Sequence, residues 1–420
     1  PAKLLFMDDK PAFMLNGKVY ELGNKEGYRR FWAIYHRPPK EEYRNYLLER
    51  RDTLIPLEER SFKGAYYTPL AVVDKAYDLL AETLGNNWQK NYIVWDMCCG
   101  VGNLEVKHSN PRNVFMSTLD QADIDVMRAS KICVAATRFQ YDYLNDDVDS
   151  MFEENSLFGK ASKLPEKLVS ELSDPKLKWI ILINPPFATS QKAGYSGESK
   201  KSVSDTRVRH YMHRVDLGEV SRELFAQFLF RIRKEFTGKK AHLGLFSTLK
   251  YINSNNDQKF RDNFFHFKYE RGFIFSSANF SGTQKNNPFP VGFLLWDLSK
   301  NKNLEDQRID VNVLDDEGYK IGRKQIITAN RDQFLSKWID RPAANIIFPP
   351  FSAAITLKLD NKDTRNRVAP GFLGSLMCNG NDVQHHNNVA ILSGPYVSAG
   401  ALSIVPENFE KAMIVHAVRK

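Results

Sequence analysis

From about residue 61 to residue 300, apolar runs of strand length alternate with stretches in which apolar residues return every three or four positions. The strand-like runs stand at 92–95 (YIVW), 114–119 (VFMSTL), 179–183 (WIILI), 242–247 (HLGLFS) and 292–296 (GFLLW). The run at 179–183 is apolar throughout, which suits a strand covered on both faces. Between them, 221–236 sets Leu224, Phe225, Phe228, Leu229 and Ile232 on one helical face. Strands alternating with amphipathic helices predict an α/β fold, a parallel sheet covered by helices.

The flanks read differently. Residues 1–60 begin with a hairpin-like stretch and continue into helices, with 41–51 (EEYRNYLLERR) built from good helix formers. This predicts a mainly helical N-terminal extension over 1–60 and a catalytic-size α/β domain over 61–300. After about 300, polar turns such as Asp315-Asp316-Glu317-Gly318 separate short strand-like pieces, and 371–396 is rich in Gly, Asn and Ser. A second, mostly β or mixed domain is therefore expected over 301–420. The chain opens on Pro1 without a Met, and a helical run from Asn408 meets Lys420 with no capping signal. Both features predict an excerpt of a longer protein.

Composition narrows the class. Apolar residues make up 42% and charged residues 26%, ordinary for a globular chain of 420 residues. No stretch approaches the roughly 18–20 apolar residues of a membrane span, and 1–21 lacks the layout of a signal peptide. A cytoplasmic protein with no membrane partner is expected. Four cysteines, with Cys98 and Cys99 adjacent, give neither a disulfide framework nor metal-ligand spacing. His385-His386 has no Cys or acidic partner at metal spacing and reads as a polar turn, so no metal is predicted. The net charge of +9 and pI near 9.1 point weakly toward a polyanionic partner, because clustered Lys and Arg neutralise phosphates.

Five segments carry candidate chemistry. Directly after the first α/β strand comes Asp96-Met97-Cys98-Cys99-Gly100-Val101-Gly102-Asn103. Glycines at a strand-to-helix turn let the backbone approach a ligand, and a following helix would offer free N–H groups. The six-residue dinucleotide spacing fails, because Glu105 stands where the third glycine would be. Taken alone, the loop reads equally well as a structural turn. Asp120 closes the next strand-like run, where a carboxylate accepts from ribose hydroxyls; Asp123 is its rival, and an Asp before a helix also serves as an N-cap. Asp142-Tyr143 pairs a carboxylate, an acceptor for an exocyclic amine, with a ring that would stack on adenine.

The most specific segment is Asn184-Pro185-Pro186-Phe187, at the end of the apolar strand. Methylating an exocyclic amine is difficult because the nitrogen lone pair is delocalised into the ring. Acceptors that hold both N–H groups favour the tetrahedral, nucleophilic nitrogen. The Asn184 side-chain oxygen and the Pro185 carbonyl would supply two, the prolines fixing the carbonyl direction, while Phe187 stacks on an extruded base. Upstream, Gly64-Ala65-Tyr66-Tyr67-Thr68-Pro69 predicts a helix with Thr68 as N-cap and Pro69 in its first turn, and Tyr66 and Tyr67 at a loop suit a ligand.

In this order the motifs resemble the gamma-class adenine-N6 DNA methyltransferases of bacterial restriction-modification systems. G-x-Y-Y-T-P (64–69), D-x-x-C-G-x-G-N (96–103), Asp120, D-Y-L (142–144) and N-P-P-F (184–187) carry the resemblance, which covers about 61–300. It implies a Rossmann-like fold dependent on S-adenosylmethionine, with an N-terminal helical extension and the start of a C-terminal DNA-recognition domain. It implies a site-specific, adenine-specific DNA methyltransferase of a restriction-modification or host-defence system, acting on double-stranded DNA with the target adenine flipped out. By the same resemblance Tyr66, Tyr67, Thr68, Asp96, Cys98, Gly100, Gly102 and Asn103 hold the methionine end of the cofactor. Asp120 takes the ribose, Asp142 and Tyr143 the adenine, and Asn184 lies between cofactor and target. Phe280, in a stretch similar to the family's base-lining hairpin, packs against the target base. A specificity subunit or fused recognition domain is a further expected partner.

Residues 189–214 hold Lys192, Lys200, Lys201, Arg207 and Arg209 among glycines and serines. They read as a solvated loop or as a flap that grips phosphates. Two other readings compete. Protein-glutamine and RNA amino methyltransferases share the N-P-P-aromatic chemistry. A non-catalytic DNA-positioning subunit would be expected to have lost Asn184 or the Gly100/Gly102 pair.

Overall fold

The computed structural model describes residues 2–7, 10–15, 18–21, 23, 26, 68–152, 162–187, 205–280, 288–328, 335–347, 367–378, 389–396 and 401–419. The chain opens on an antiparallel meander of β1 (Ala2–Met7), β2 (Lys10–Leu15) and β3 (Lys18–Glu21). The described part of the 1–60 extension is thus mostly strand, and the helix expected over 41–51 lies outside the described residues.

A nine-stranded sheet forms the centre. Its members are β4 (Ile93–Asp96), β5 (Val114–Thr118), β6 (Thr137–Gln140), β7 (Lys178–Ile183), β8 (Lys240–Thr248), β9 (Phe267–Ser276), β10 (Pro290–Asn301), β11 (Arg308–Leu314) and β12 (Lys320–Ile327). Their spatial order is β12-β11-β9-β10-β8-β7-β4-β5-β6. The run β6-β5-β4-β7-β8 is parallel throughout, and β10 inserts antiparallel between β8 and β9. This is an α/β, Rossmann-like topology.

Alternation along the central strands explains the apolar runs. Trp95, Phe115, Trp179, Ile181 and Ile183 enter one core, and Val94, Val114, Met116, Ile180 and Leu182 enter the other. Both faces are covered, so polar residues have no place between them. On the second face lies α1 (Leu70–Leu84), through Val72, Val73, Ala76 and Leu80. The remaining crossover helices include α2 (Gln121–Ala129) after β5, α3 (Val148–Phe152) after β6 and α4 (Glu166–Ser173) before β7. Between β7 and β8 come α5 (Arg207–Arg214) and α6 (Leu224–Phe236). Phe236 of α6 sits edge-on to Trp179 at 5.6 Å, fixing this helix on the first face.

The sheet does not end near residue 300, where the expected domain boundary falls. β11 pairs parallel with β9, and β12 closes a hairpin on it, so the layer runs to Ile327. The change of texture at 300 marks a passage from strands buried on both faces to an edge hairpin whose outer strand is largely exposed. Beyond it, β13 (Ile346–Ile347) pairs with β14 (Arg367–Val368). β15 (Gly374–Cys378) lies between β16 (Val389–Leu392) and β17 (Leu402–Ile404). Leu376, Val389, Ala412 and Val415 form a small separate core beneath α7 (Phe409–Arg419). His385-His386 lies outside the described residues.

Candidate active site

The chain leaves β4 toward β5 on one side and returns beside β4 with β7 on the other. A crevice outside the carboxyl ends of these two strands is where open α/β sheets bind ligands. Asp96 is the last residue of β4, and Asn184 follows β7 directly.

The loop after β4 is held tightly. The Cys98 N–H donates to Asp96 Oδ1 at 2.8 Å, the Cys99 N–H to the Ser117 carbonyl at 3.0 Å, and the Gly102 N–H to the Cys99 carbonyl at 2.8 Å. Gly100 and Gly102 have φ of +52° and +83°. A Cβ on Gly102 would lie 2.7 Å from Met116 Cε, the movable end of a flexible side chain, so it is the positive φ that calls for glycine there. The helix expected after the loop does not form; residues 101–107 are successive turns. Side chains from other segments bond to carbonyls of this stretch. Tyr77 Oη donates to the Leu104 carbonyl and Cys133 Sγ to that of Glu105.

Thr68 joins three parts of the site. Its buried hydroxyl accepts from Asn184 Nδ2 at 2.9 Å, and its carbonyl accepts from Asn103 Nδ2 at 3.4 Å. Thr68 is therefore not the N-cap of α1: Pro69 holds that position, and its carbonyl accepts from Val72 and Val73. The hydroxyl that would cap the helix is bonded to Asn184 instead. Tyr66 and Tyr67 lie outside the described residues.

Asp96 is almost wholly buried, and burial pushes its carboxyl up to about 7 against the Cys98 N–H and Glu105, which favour the ionised form. Glu105 is buried beside it, and burial together with the Asp96 charge raises its carboxyl well above the usual range. Burial and Asp96 likewise raise the Cys98 thiol, which the Asn184 backbone N–H approaches.

At the next strand end, Asp120 is exposed at the head of α2, with no side-chain bond to the helix N-terminus. The Asp123 carboxylate, its rival, accepts from Thr118 Oγ1 at 2.9 Å. After β6, Asp142 closes its own turn, accepting from the Leu144 N–H at 3.1 Å and Asn145 Nδ2 at 2.8 Å. Tyr143 is not placed to stack on a ligand. Its ring is buried against Phe228 at 5.5 Å, and its hydroxyl donates to Glu235 at 2.6 Å. The core claims this ring because Tyr143 points under the sheet toward α6.

The same loop rests on a buried residue that sequence reasoning passed over. Arg231 of α6 donates to the carbonyls of Tyr143 and Asp146 (2.7 Å to the latter) and to Tyr141 Oη (2.6 Å), and lies over the Tyr143 ring at 4.3 Å. The signal was its position: Leu224, Phe228 and Arg231 share the apolar stripe of α6.

At the end of β7, Pro185 is buried and Phe187 is partly exposed. The Phe187 ring meets Phe280 edge-on at 5.9 Å and Phe289 at 6.4 Å. Phe280 is itself buried against Phe275. An aromatic wall thus stands beside Asn184, with Phe289 a member that the sequence reading did not single out. Of the basic residues, Lys192, Lys200 and Lys201 lie outside the described residues. Arg207 pairs with Asp149 at 2.7 Å and stays half exposed, whereas Arg209 is mostly buried beside Asp205, so it is poorly placed to reach a phosphate. Among the described residues no helix is long and apolar enough to cross a membrane.

No family model matches the chain, and no curated protein matches it. Among solved structures, it is similar to the DrdV–DNA complex, at 15% identity and a TM-score of 0.43, over 84% of this chain and 38% of that one. It is similar to the ATP-dependent type ISP restriction-modification enzyme LlaBIII bound to DNA, at 11% identity and 0.43, over 67% and 24%. The M protein of the type I restriction enzyme EcoKI aligns at 12% identity and 0.34, over 60% of this chain and 49% of its own. The chain thus spans well under half the length of the first two of these proteins.

Proposed function

We propose that the protein is an S-adenosylmethionine-dependent methyltransferase acting on the N6 amine of adenine in DNA. The observation that carries this reading is the placement of Asn184-Pro185-Pro186-Phe187. It follows the strand beside the glycine loop, with Asn184 tied to Thr68 and Phe187 facing Phe280 and Phe289.

The donor and acceptor set fits the cofactor. Asp96 Oδ2 and Asn103 Oδ1 are buried oxygens to which no described residue donates, and they suit the ammonium of a methionine end. Asp120 stands exposed at the next strand end, where a ribose would lie. When bound, S-adenosylmethionine supplies an electrophilic methyl group on a sulfonium. The chain's own residues prepare the nucleophile. With Asn184 Nδ2 directed to Thr68, the amide presents Oδ1 on its other side, where it and the Pro185 carbonyl accept the two N–H groups of the amine. Holding both protons localises the lone pair on nitrogen and fixes its direction of attack. The departing proton leaves along one of these acceptors to water. Phe187 supplies a ring face for an adenine swung out of the duplex.

The test is methyl transfer in vitro. The purified chain is incubated with methyl-labelled S-adenosylmethionine and, in separate arms, methylation-free plasmid DNA, total RNA, or unmodified protein extract. The expected product is N6-methyldeoxyadenosine in the DNA arm alone, absent with Asn184→Ala. Label confined to RNA or to protein glutamine would overturn the choice of polymer. Undiminished transfer by Asn184→Ala would overturn the site.

A further inference from the structure

The turn after β6 and the start of α5 are 62 residues apart in sequence, and a single side chain joins them. Asn145 Nδ2 donates to Asp142 Oδ2 at 2.8 Å, and Asn145 Oδ1 accepts from the Arg207 N–H at 3.0 Å. Chemistry settles which end of the amide faces which partner, because a backbone N–H can only donate and a carboxylate can only accept. The amide cannot turn over without losing both bonds.

The neighbouring groups have partners of their own. Asp142 Oδ1 accepts from the Leu144 N–H at 3.1 Å, so each carboxylate oxygen carries one bond from its own turn and the group is fixed in direction. The first three N–H groups of α5, which the helix cannot bond internally, are all satisfied. Arg207 donates to Asn145, Val208 to the Leu144 carbonyl at 3.2 Å, and Arg209 to the buried Thr206 hydroxyl at 3.1 Å. Farther along, the Arg207 guanidinium meets Asp149, and the Tyr211 ring stacks on Phe152 at 4.6 Å. Seating α5 therefore has other supports besides Asn145. What an amide at 145 adds is a donor to the Asp142 carboxylate, held in direction by a backbone donor on its far side.

We infer that Asn145 is a positioning residue: it aims the Asp142 carboxylate at the exocyclic amine of the cofactor's adenine and takes its own direction from the first N–H of α5. The inference rests on the cofactor reading made above, with the adenine at the Asp142 turn. What matters at position 145 is a side chain that donates to one partner while accepting from the other, which neither aspartate nor leucine can do.

Two measurements on the full chain test this. The first is titration calorimetry with S-adenosylhomocysteine and S-inosylhomocysteine; the second probe carries a carbonyl oxygen where the first carries the amine. A carboxylate accepts from the amine and repels the oxygen, so wild type is expected to bind the adenosine probe at least about tenfold more tightly. Asn145→Asp keeps an acceptor for Arg207 but sets a second carboxylate against Asp142, and Asn145→Leu supplies neither bond. Both should cut the preference to about threefold or less, because the Asp142 carboxylate is no longer held in direction. A merely structural role would weaken both probes in proportion and leave their ratio unchanged. The second measurement is hydrogen exchange at the Arg207 amide without ligand, expected to be faster in Asn145→Leu and close to wild type in Asn145→Asp. An unchanged probe ratio in Asn145→Asp would overturn the inference, as would a wild type that binds the two probes alike or an Arg207 amide indifferent to Asn145→Leu. Should Asn145→Leu fail to fold, the probe ratio of the near-isosteric Asn145→Asp decides alone. If wild type binds neither probe, the cofactor reading fails and the inference falls with it, a result distinct from lost preference in a chain that binds.

Discussion

At the scale of residues, chemistry was more legible than orientation. Asn184 and Asp96 stand at strand ends because their strands are unbroken apolar runs that stop at a polar residue. Thr68 and Tyr143 were read in the right segments and given the wrong neighbours. The Thr68 hydroxyl serves Asn184 rather than α1, and the Tyr143 ring is buried under α6. Side-chain direction at such positions depends on partners more than eighty residues away, which no local pattern reports. Glu105 was noticed only as a departure from a glycine spacing, yet its burial has a consequence for stability. Its folded carboxyl binds its proton more tightly than the unfolded one. The stability it contributes is thus fully present below about pH 4 and declines as pH rises toward the folded midpoint. Without cofactor, Glu105→Gln should therefore gain stability relative to wild type as pH rises above the ordinary carboxyl range toward the folded midpoint. Denaturant unfolding at a series of pH values measures this, and parallel curves would mean that the folded protein does not retain the proton.

At the scale of elements, the parallel strands were predicted well because burial on both faces leaves a continuous apolar signature. β9 was not anticipated: FKYERGFIFS carries Lys268, Glu270 and Arg271, and only its second half is deeply buried. After Gly102, successive turns stand where a helix was expected, with Tyr77 and Cys133 donating to the Leu104 and Glu105 carbonyls. α6 was placed correctly, but Arg231 within it was not seen as an anchor, since a charge in a helical pattern ordinarily marks the solvent face. Removing it should show what it holds. Arg231→Met would leave the Tyr143 and Asp146 carbonyls without their donor, each buried acceptor costing about 1–3 kcal/mol. The expected loss is at least about 2 kcal/mol in unfolding free energy, with weaker cofactor binding because the Asp142 turn loosens. Lys234→Met, at an exposed position of the same helix, should stay within about 0.5 kcal/mol of wild type. Equal effects of the two substitutions in chemical denaturation would deny Arg231 its role.

At the scale of the whole molecule, the sheet order brings five sequence-distant segments to one crevice: Thr68, the 96–105 loop, the Asp120 strand end, the Asp142 strand end, and 184–187. The extension of the sheet through β11 and β12 was hidden by composition, because an exposed edge hairpin shares the polar texture of a separate domain. The net charge of +9 agrees with a phosphate-bearing partner without choosing among polymers. That choice is the central claim, and long-read sequencing of DNA from methylation-deficient bacteria expressing the protein tests it most directly. N6-methyladenine is expected at a defined sequence context with the wild-type protein and at none with Asn184→Ala. Genomic DNA free of modified adenine in wild-type cells, with active protein demonstrably present, would contradict it.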